Sequence, residues 1–170
     1  MYYAATNLSD RLCAARLVVH QGDDVHRAEV LEHFFDRWQS ENLVVNQWFV
    51  MQATRPSADC VSDVTELTHH AAFDWRNPNK VRSLISAFAG ANPTGFHALD
   101  GGGYRLLGDA VRRLQSDNPQ IAARMLAPMT RWRRYDHGQV VMRGELESIA
   151  ALEGLSQDVY EVVSRSLSES

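Results

Sequence analysis

Cysteine is scarce. Cys13 and Cys60 are the only two, far apart and in no CxxC pair, so neither a disulfide framework nor a thiolate zinc knuckle is indicated. Both read as buried thiols. No apolar run approaches the ~20 residues that a membrane-crossing helix needs. Residues 1–20 lack the cationic start, apolar block and small-residue cleavage site of a secretory leader. A cytoplasmic location is therefore expected. Basic charge is short as well. Seventeen Lys and Arg stand against 21 Asp and Glu, for a net charge of −4, which argues against a protein built on phosphate contacts. Nowhere do apolar and polar residues alternate over a β-branched run, so sheet classes drop out.

Catalytic and cofactor motifs are missing too. None of the seven histidines sits in an HExxH pattern, and no histidine lies four residues from His33. The adjacent His69 and His70 point to different sides of a helix and cannot share an ion. Asp100-Gly101-Gly102-Gly103 has neither the Lys-Ser/Thr of a phosphate loop nor a strand before it, and reads as a flexible turn. There is no GxSxG, and Ser83, Ser86 and Thr94 have no recognisable base nearby.

What remains is helical. The chain has 170 residues, 45% of them hydrophobic, enough for one domain with its own core. Leu8, Leu12, Ala15 and Val19 fall at helical spacing behind Asn7 or Ser9. A second helix over about 24–41 carries Ala28, Leu31, Phe35 and Trp38, and a third with Val45, Trp48 and Phe49 ends before Pro56. Cys60, Val64 and Leu67 mark a fourth. Asn77-Pro78 opens the next: asparagine accepts a bond from an unpaired N–H, and proline gives up only an N–H that has no partner. Val81, Leu84, Ile85 and Phe88 form its buried face, with Gly90 as its stop. Asn92-Pro93 starts a short turn. Leu107 to Leu114, Ala122 to Met129, Met142 to Glu153 and Tyr160 to Leu167 complete eight or nine short helices.

The Asn-Pro start at 77 returns 41 residues later at 118, with Val81, Leu84, Ile85 and Phe88 answered by Ala122, Met125, Leu126 and Met129. That interval suits helical-hairpin repeats of the HEAT and armadillo kind, whose units close their core by stacking. Arg82 and Arg124 each lie within about two turns of such a start. In parallel register both guanidinium groups could project from one rim, where carboxylates are recognised. The alternative is that each pairs with a local acid. Arg131, Arg133 and Arg134, interleaved with Trp132 and Tyr135, read as a solvated helix end in preference to a nucleic-acid patch.

The stretch Asn77-Pro78-Asn79-Lys80-Val81-Arg82-Ser83-Leu84, with Ala87 to Gly90, Asn92-Pro93, Phe96-His97-Ala98, Asn118-Pro119-Gln120, Arg124 and Arg134-Tyr135-Asp136, resembles the C-terminal helical domain of bacterial aminopeptidase N. The resemblance runs over nearly the whole chain and implies an all-α, right-handed superhelical stack of short helical hairpins spanning 1–170 as a single domain. It implies a fragment without the catalytic domain, which in that family holds zinc through HExxH; alone, this chain should be inactive. Carried over by position, Gln120 would face the pocket for a peptide's first side chain, and Arg82 and Arg124 the pocket beyond the scissile bond. Implied partners are the catalytic domain of the same polypeptide and short peptide substrates, with no nucleic acid and no membrane. No cofactor is expected in this chain, with zinc in the parent. Cutting a stacked array would also expose an apolar face around Leu12, Val19, Phe34 or Trp48, and self-association through it. An autonomous helical-repeat module that binds a protein or peptide in its groove is the competing reading.

Overall fold

The computed structural model describes residues 2–168. Polar side chains set the helix starts. Asn7 accepts a hydrogen bond from the Asp10 N–H and opens α1 (Leu8–Gln21); Asp23 does the same from His26 for α2 (Asp24–Trp38). The helices α3 (Asn42–Ala53) and α4 (Cys60–Leu67) follow. Three Asn-Pro pairs then act alike. Asn77, Asn92 and Asn118 cap α5 (Pro78–Val81), α7 (Pro93–Phe96) and α9 (Pro119–Met125), accepting from the N–H groups of Asn79, Gly95 and Ile121. A π-helical turn, Arg82–Ser86, joins α5 to α6 (Ala87–Ala91). The helices α8 (Gly102–Leu114), α10 (Gln139–Ala150) and α11 (Gln157–Ser168) complete the set, with a 3₁₀ segment at Met129–Arg134. Among the described residues there is no strand, as the sequence indicates.

The helices stack largely in chain order, as expected of a fold in which each unit rests on its neighbours. The helix α1 packs on α2 and α3; α3 packs on α4 and the π turn; α4 and α7 pack on α8; α8 packs on α9 and α10; and α11 closes over α9 and α10. The buried side chains form one contiguous cluster from Tyr2 to Val163. Both halves of the 41-residue correspondence are inside it: Val81, Leu84, Ile85 and Phe88, and their counterparts Ala122, Met125, Leu126 and Met129, are all buried. The all-α helical repeat stack is thus the observed architecture.

Several details differ from the sequence reading. The structure has eleven α-helical segments among the described residues, more than eight or nine, because the π turn divides one helix and short Asn-Pro turns count separately. Gly90 does not end its helix: its φ is negative and α6 runs through Ala91. Asn92 is the stop, held out of helical geometry by Pro93 after it. On α2 the buried pair is Val30 and Phe34, while Leu31, Phe35 and Trp38 are half-buried and Ala28 is exposed. The helix also stops at Trp38. Cys13 is exposed; Cys60 is buried, and burial pushes its thiol up to about 11.

The side chains expected to form an apolar face on the first helices are not the exposed ones; the exposed apolar residues there are Leu8, Leu17, Val25 and Leu43. Val19, Phe34 and Trp48 are buried, and Leu12 is partly covered. Trp48 also donates its indole N–H to the Leu31 carbonyl at 3.0 Å, locking α3 to α2. Val19, Phe34 and Trp48 are therefore covered within the fold, and Leu12 is covered in part.

Candidate functional site

The local geometry of α9 places two of the three candidate residues together. Asn118 and Pro119 fix the helix start, and Gln120 and Arg124 follow at i and i+4, one above the other on the same face. Both are exposed. The other face of α9, carrying Ile121, Ala122 and Met125, is in the core. Hydrophobic burial on one side therefore aims the polar pair outward.

Arg82 sits apart, at the first position of the π turn and exposed. Its Nη1 donates to Asn79 Oδ1 at 3.3 Å, so its only recorded side-chain partner is a neutral amide. Among the described residues neither Arg82 nor Arg124 forms an ion pair with a local acid. A single-turn π segment is uncommon, and such turns recur at functional sites.

Arg124 lines a hollow of about 690 Å³ that Arg82 and Gln120 do not reach. Its walls come from three elements. The chain from Ala123 to Ala127 gives one side; Thr130, Arg131, Arg133 and Arg134 from the 3₁₀ segment give the second; Val162, Arg165 and Ser166 of α11 give the third. Among the described residues no carboxylate is in the lining.

Arg133 has a structural task there. Its Nη1 donates to the Ser166 carbonyl at 2.6 Å and its Nη2 to the Leu167 carbonyl at 3.4 Å, while its guanidinium lies 4.0 Å from the Trp132 ring centroid. It thereby satisfies carbonyls in the last turn of α11, where a cation is favoured. The basic run is not the end of its own α-helix, as its sequence suggested. It is a 3₁₀ segment that ties down the end of another helix.

A second hollow, about 370 Å³, lies between the two Asn-Pro units, bounded by Gly90, Pro93 and His97 on one side and Pro128, Arg131 and Tyr135 on the other. His97 stacks on Tyr135 at 4.2 Å and 26°, and its Nδ1 is 2.9 Å from the Tyr104 hydroxyl. Burial, with the nearby His137 charge, holds the His97 imidazole below its ordinary value. Burial raises the Tyr104 phenol, so that hydroxyl stays protonated at neutral pH.

Among the described residues no group of three or more His, Cys, Asp or Glu side chains could hold an ion. Zinc does not fit these residues. No helix among them is long and apolar enough to cross a membrane. Arg165 is the residue that sequence reasoning missed. It lies beside Val162 and Ser166 on one face of α11, but the cluster it joins forms only when α11 folds over α9.

A family described as "Domain of unknown function (DUF3458_C) ARM repeats" matches residues 1–168. The chain is 41% identical over 167 residues to Aminopeptidase N of Escherichia coli (strain K12), covering 98% of this chain and 19% of that protein. It is 38% identical over 167 residues to Aminopeptidase N of Haemophilus influenzae, with the same two coverages. The crystal structure of Legionella pneumophila aminopeptidase A in complex with aspartic acid matches with a TM-score of 0.88 at 32% identity, over 95% of this chain and 19% of that one. The chain therefore spans about a fifth of the length of the relatives it matches.

Proposed function

The chain belongs to the ARM-repeat family described as DUF3458_C, and from that premise we propose that it is the non-catalytic C-terminal part of a zinc metallo-aminopeptidase, a single helical domain over 1–170 that walls the active-site chamber and helps to select peptide substrates. Its partners are a catalytic domain on the same polypeptide, which carries the zinc, and short peptides. The enzyme works in the cytoplasm. What supports this is the extent of the likeness: 41% identity holds over 98% of this chain yet over only 19% of the relative.

The chemistry of α9 suits the role. Gln120, with a donor and an acceptor on its amide, faces the pocket for the peptide's first side chain. Arg124 offers a planar fork to a peptide's terminal carboxylate, and Arg82, on the π turn outside the hollow that Arg124 lines, offers a second guanidinium to the same peptide. A helical wall that excludes bulk water strengthens charge stabilisation at the catalytic centre and keeps large folded proteins out.

The test compares this chain, supplied with zinc, with a longer polypeptide that includes the neighbouring domain. Aminoacyl anilide hydrolysis is expected from the longer protein alone. Turnover by the 170-residue chain would contradict the reading.

A further inference from the structure

Four guanidinium groups border one hollow, and no anion among the described residues answers them. Arg124 after the Asn118 start, Arg131 and Arg134 on the 3₁₀ segment and Arg165 on α11 line the 690 Å³ space. Four other arginines are paired with acids, Arg27 with Asp24, Arg55 with Asp63, Arg112 with Glu145 and Arg143 with Glu147; the remaining arginines without an acid partner are scattered singly or in twos, whereas these four converge on one space. Among the described residues these four form no ion pair and donate no side-chain hydrogen bond. In a chain with 21 acids and 17 bases, gathering four unanswered cations costs mutual repulsion that a bound anion would relieve. Ala123, Ala127 and Val162 give the hollow an apolar floor, which strengthens charge contacts made above it.

We propose that this hollow binds a compact anion carrying two or more carboxylate or phosphate groups. Guanidinium forks match both groups in a bidentate manner, and the volume is that of a small-molecule site. Several cations from three elements answer several charges on one ligand, which a single carboxylate does not use. The site needs no catalytic partner and goes beyond the chamber-wall role, with which it shares Arg124 alone.

Titration calorimetry on the chain at low salt, with citrate, pyrophosphate and acetate, tests this. One-site binding of citrate or pyrophosphate is expected, at least tenfold tighter than acetate. Citrate alone identifies carboxylates as the natural chemistry and pyrophosphate alone identifies phosphates; either supports the site. The double variant R131Q/R134Q and the single variant R165Q should each weaken binding at least tenfold, while R16Q on α1 leaves it unchanged. Arg124 stays intact in all of them, so failure here leaves the peptide-carboxylate role standing. Among the described residues none of the altered side chains makes a hydrogen bond, ion pair or cation–π contact, and matching circular dichroism checks the fold. Three results would overturn the proposal: no saturable binding of either anion, equal affinity in the variants, or tighter binding of a single-stranded oligonucleotide.

Discussion

The side chain of Asn92 donates through Nδ2 to the carbonyl of Ala53 at 3.0 Å, bridging 39 residues of chain. The same nitrogen reaches the Arg55 carbonyl at 2.7 Å, and Oδ1 accepts from the Gly95 N–H at 3.0 Å. Asn92 is 1% exposed. One amide thus caps α7, bonds the last carbonyl of α3 and one in the turn after it, and holds two layers of the stack together.

That arrangement separates two asparagines that look alike in sequence. Asn92→Ala strips a cap and removes this donor from the Ala53 carbonyl at the end of α3 and from the Arg55 carbonyl, which keeps the Ser57 N–H, at a cost of about 3 kcal/mol. Asn118→Ala removes only a cap hydrogen bond of 3.3 Å to Ile121, worth about 1 kcal/mol. Urea midpoints of the two variants measure the difference. Equal losses would mean that the long-range bonds contribute nothing.

Glycine replacements should part in the same way. A Cβ on Gly103 would lie 2.5 Å from the Phe96 carbonyl oxygen and 2.8 Å from its Cα, backbone that cannot swing aside. Gly103→Ala should therefore destabilise by about 2 kcal/mol. Gly90 has nothing within 4 Å of its would-be Cβ and sits inside α6. Gly90→Ala should raise stability by about 0.5–1 kcal/mol, because alanine has less backbone freedom to lose. Thermal melts of both variants check the opposite signs.

Acid should weaken the fold through buried imidazoles. Burial lowers His20, His70 and His97 from the ordinary 6.5, and His20 is partly rescued by its contact with the Met51 carbonyl at 3.0 Å. Unfolding frees each ring to bind a proton near pH 6.5, so the unfolded state holds more protons and stability rises with pH there. The contribution is fully present above about pH 6.5 and is lost as pH falls through the lowered native values. His26 has the opposite sign, raised by Asp23, but that pair is solvent-exposed and adds little. Urea midpoints at pH 7.5 and 5.5 should show the lower value in acid, with a smaller drop in His97→Gln. A midpoint that rises in acid would contradict this.

The all-helical stack was legible because the apolar spacing and the Asn-Pro starts are local signals, and the eight residues of the 41-residue correspondence are buried as their period required. Gly90 misled because its own backbone stays helical, and here the proline after Asn92 does the stopping. The α2 stripe was misassigned because Val30 and Phe34, one position off the expected face, meet the core once α1 and α3 close around them. At the candidate site, Gln120 came only from the family resemblance and Arg124 also from its distance to the Asn-Pro start; α9 then sets them at i and i+4 on one face. Arg165 was not, since its neighbours come from segments more than thirty residues away in sequence. Arg133 looked like a surface cation and is a clamp on α11, a role set by carbonyls that only tertiary packing delivers.

The most direct test of the proposed role is steady-state kinetics of Arg124→Ala in the longer polypeptide that includes the catalytic domain. Loss of a charge-assisted contact to the peptide's terminal carboxylate should lower kcat/KM for dipeptides and tripeptides by about tenfold or more, the equivalent of at least ~1.4 kcal/mol. Aminoacyl anilides, which lack that carboxylate, should be cleaved as before. An equal fall on both substrate types would contradict the account.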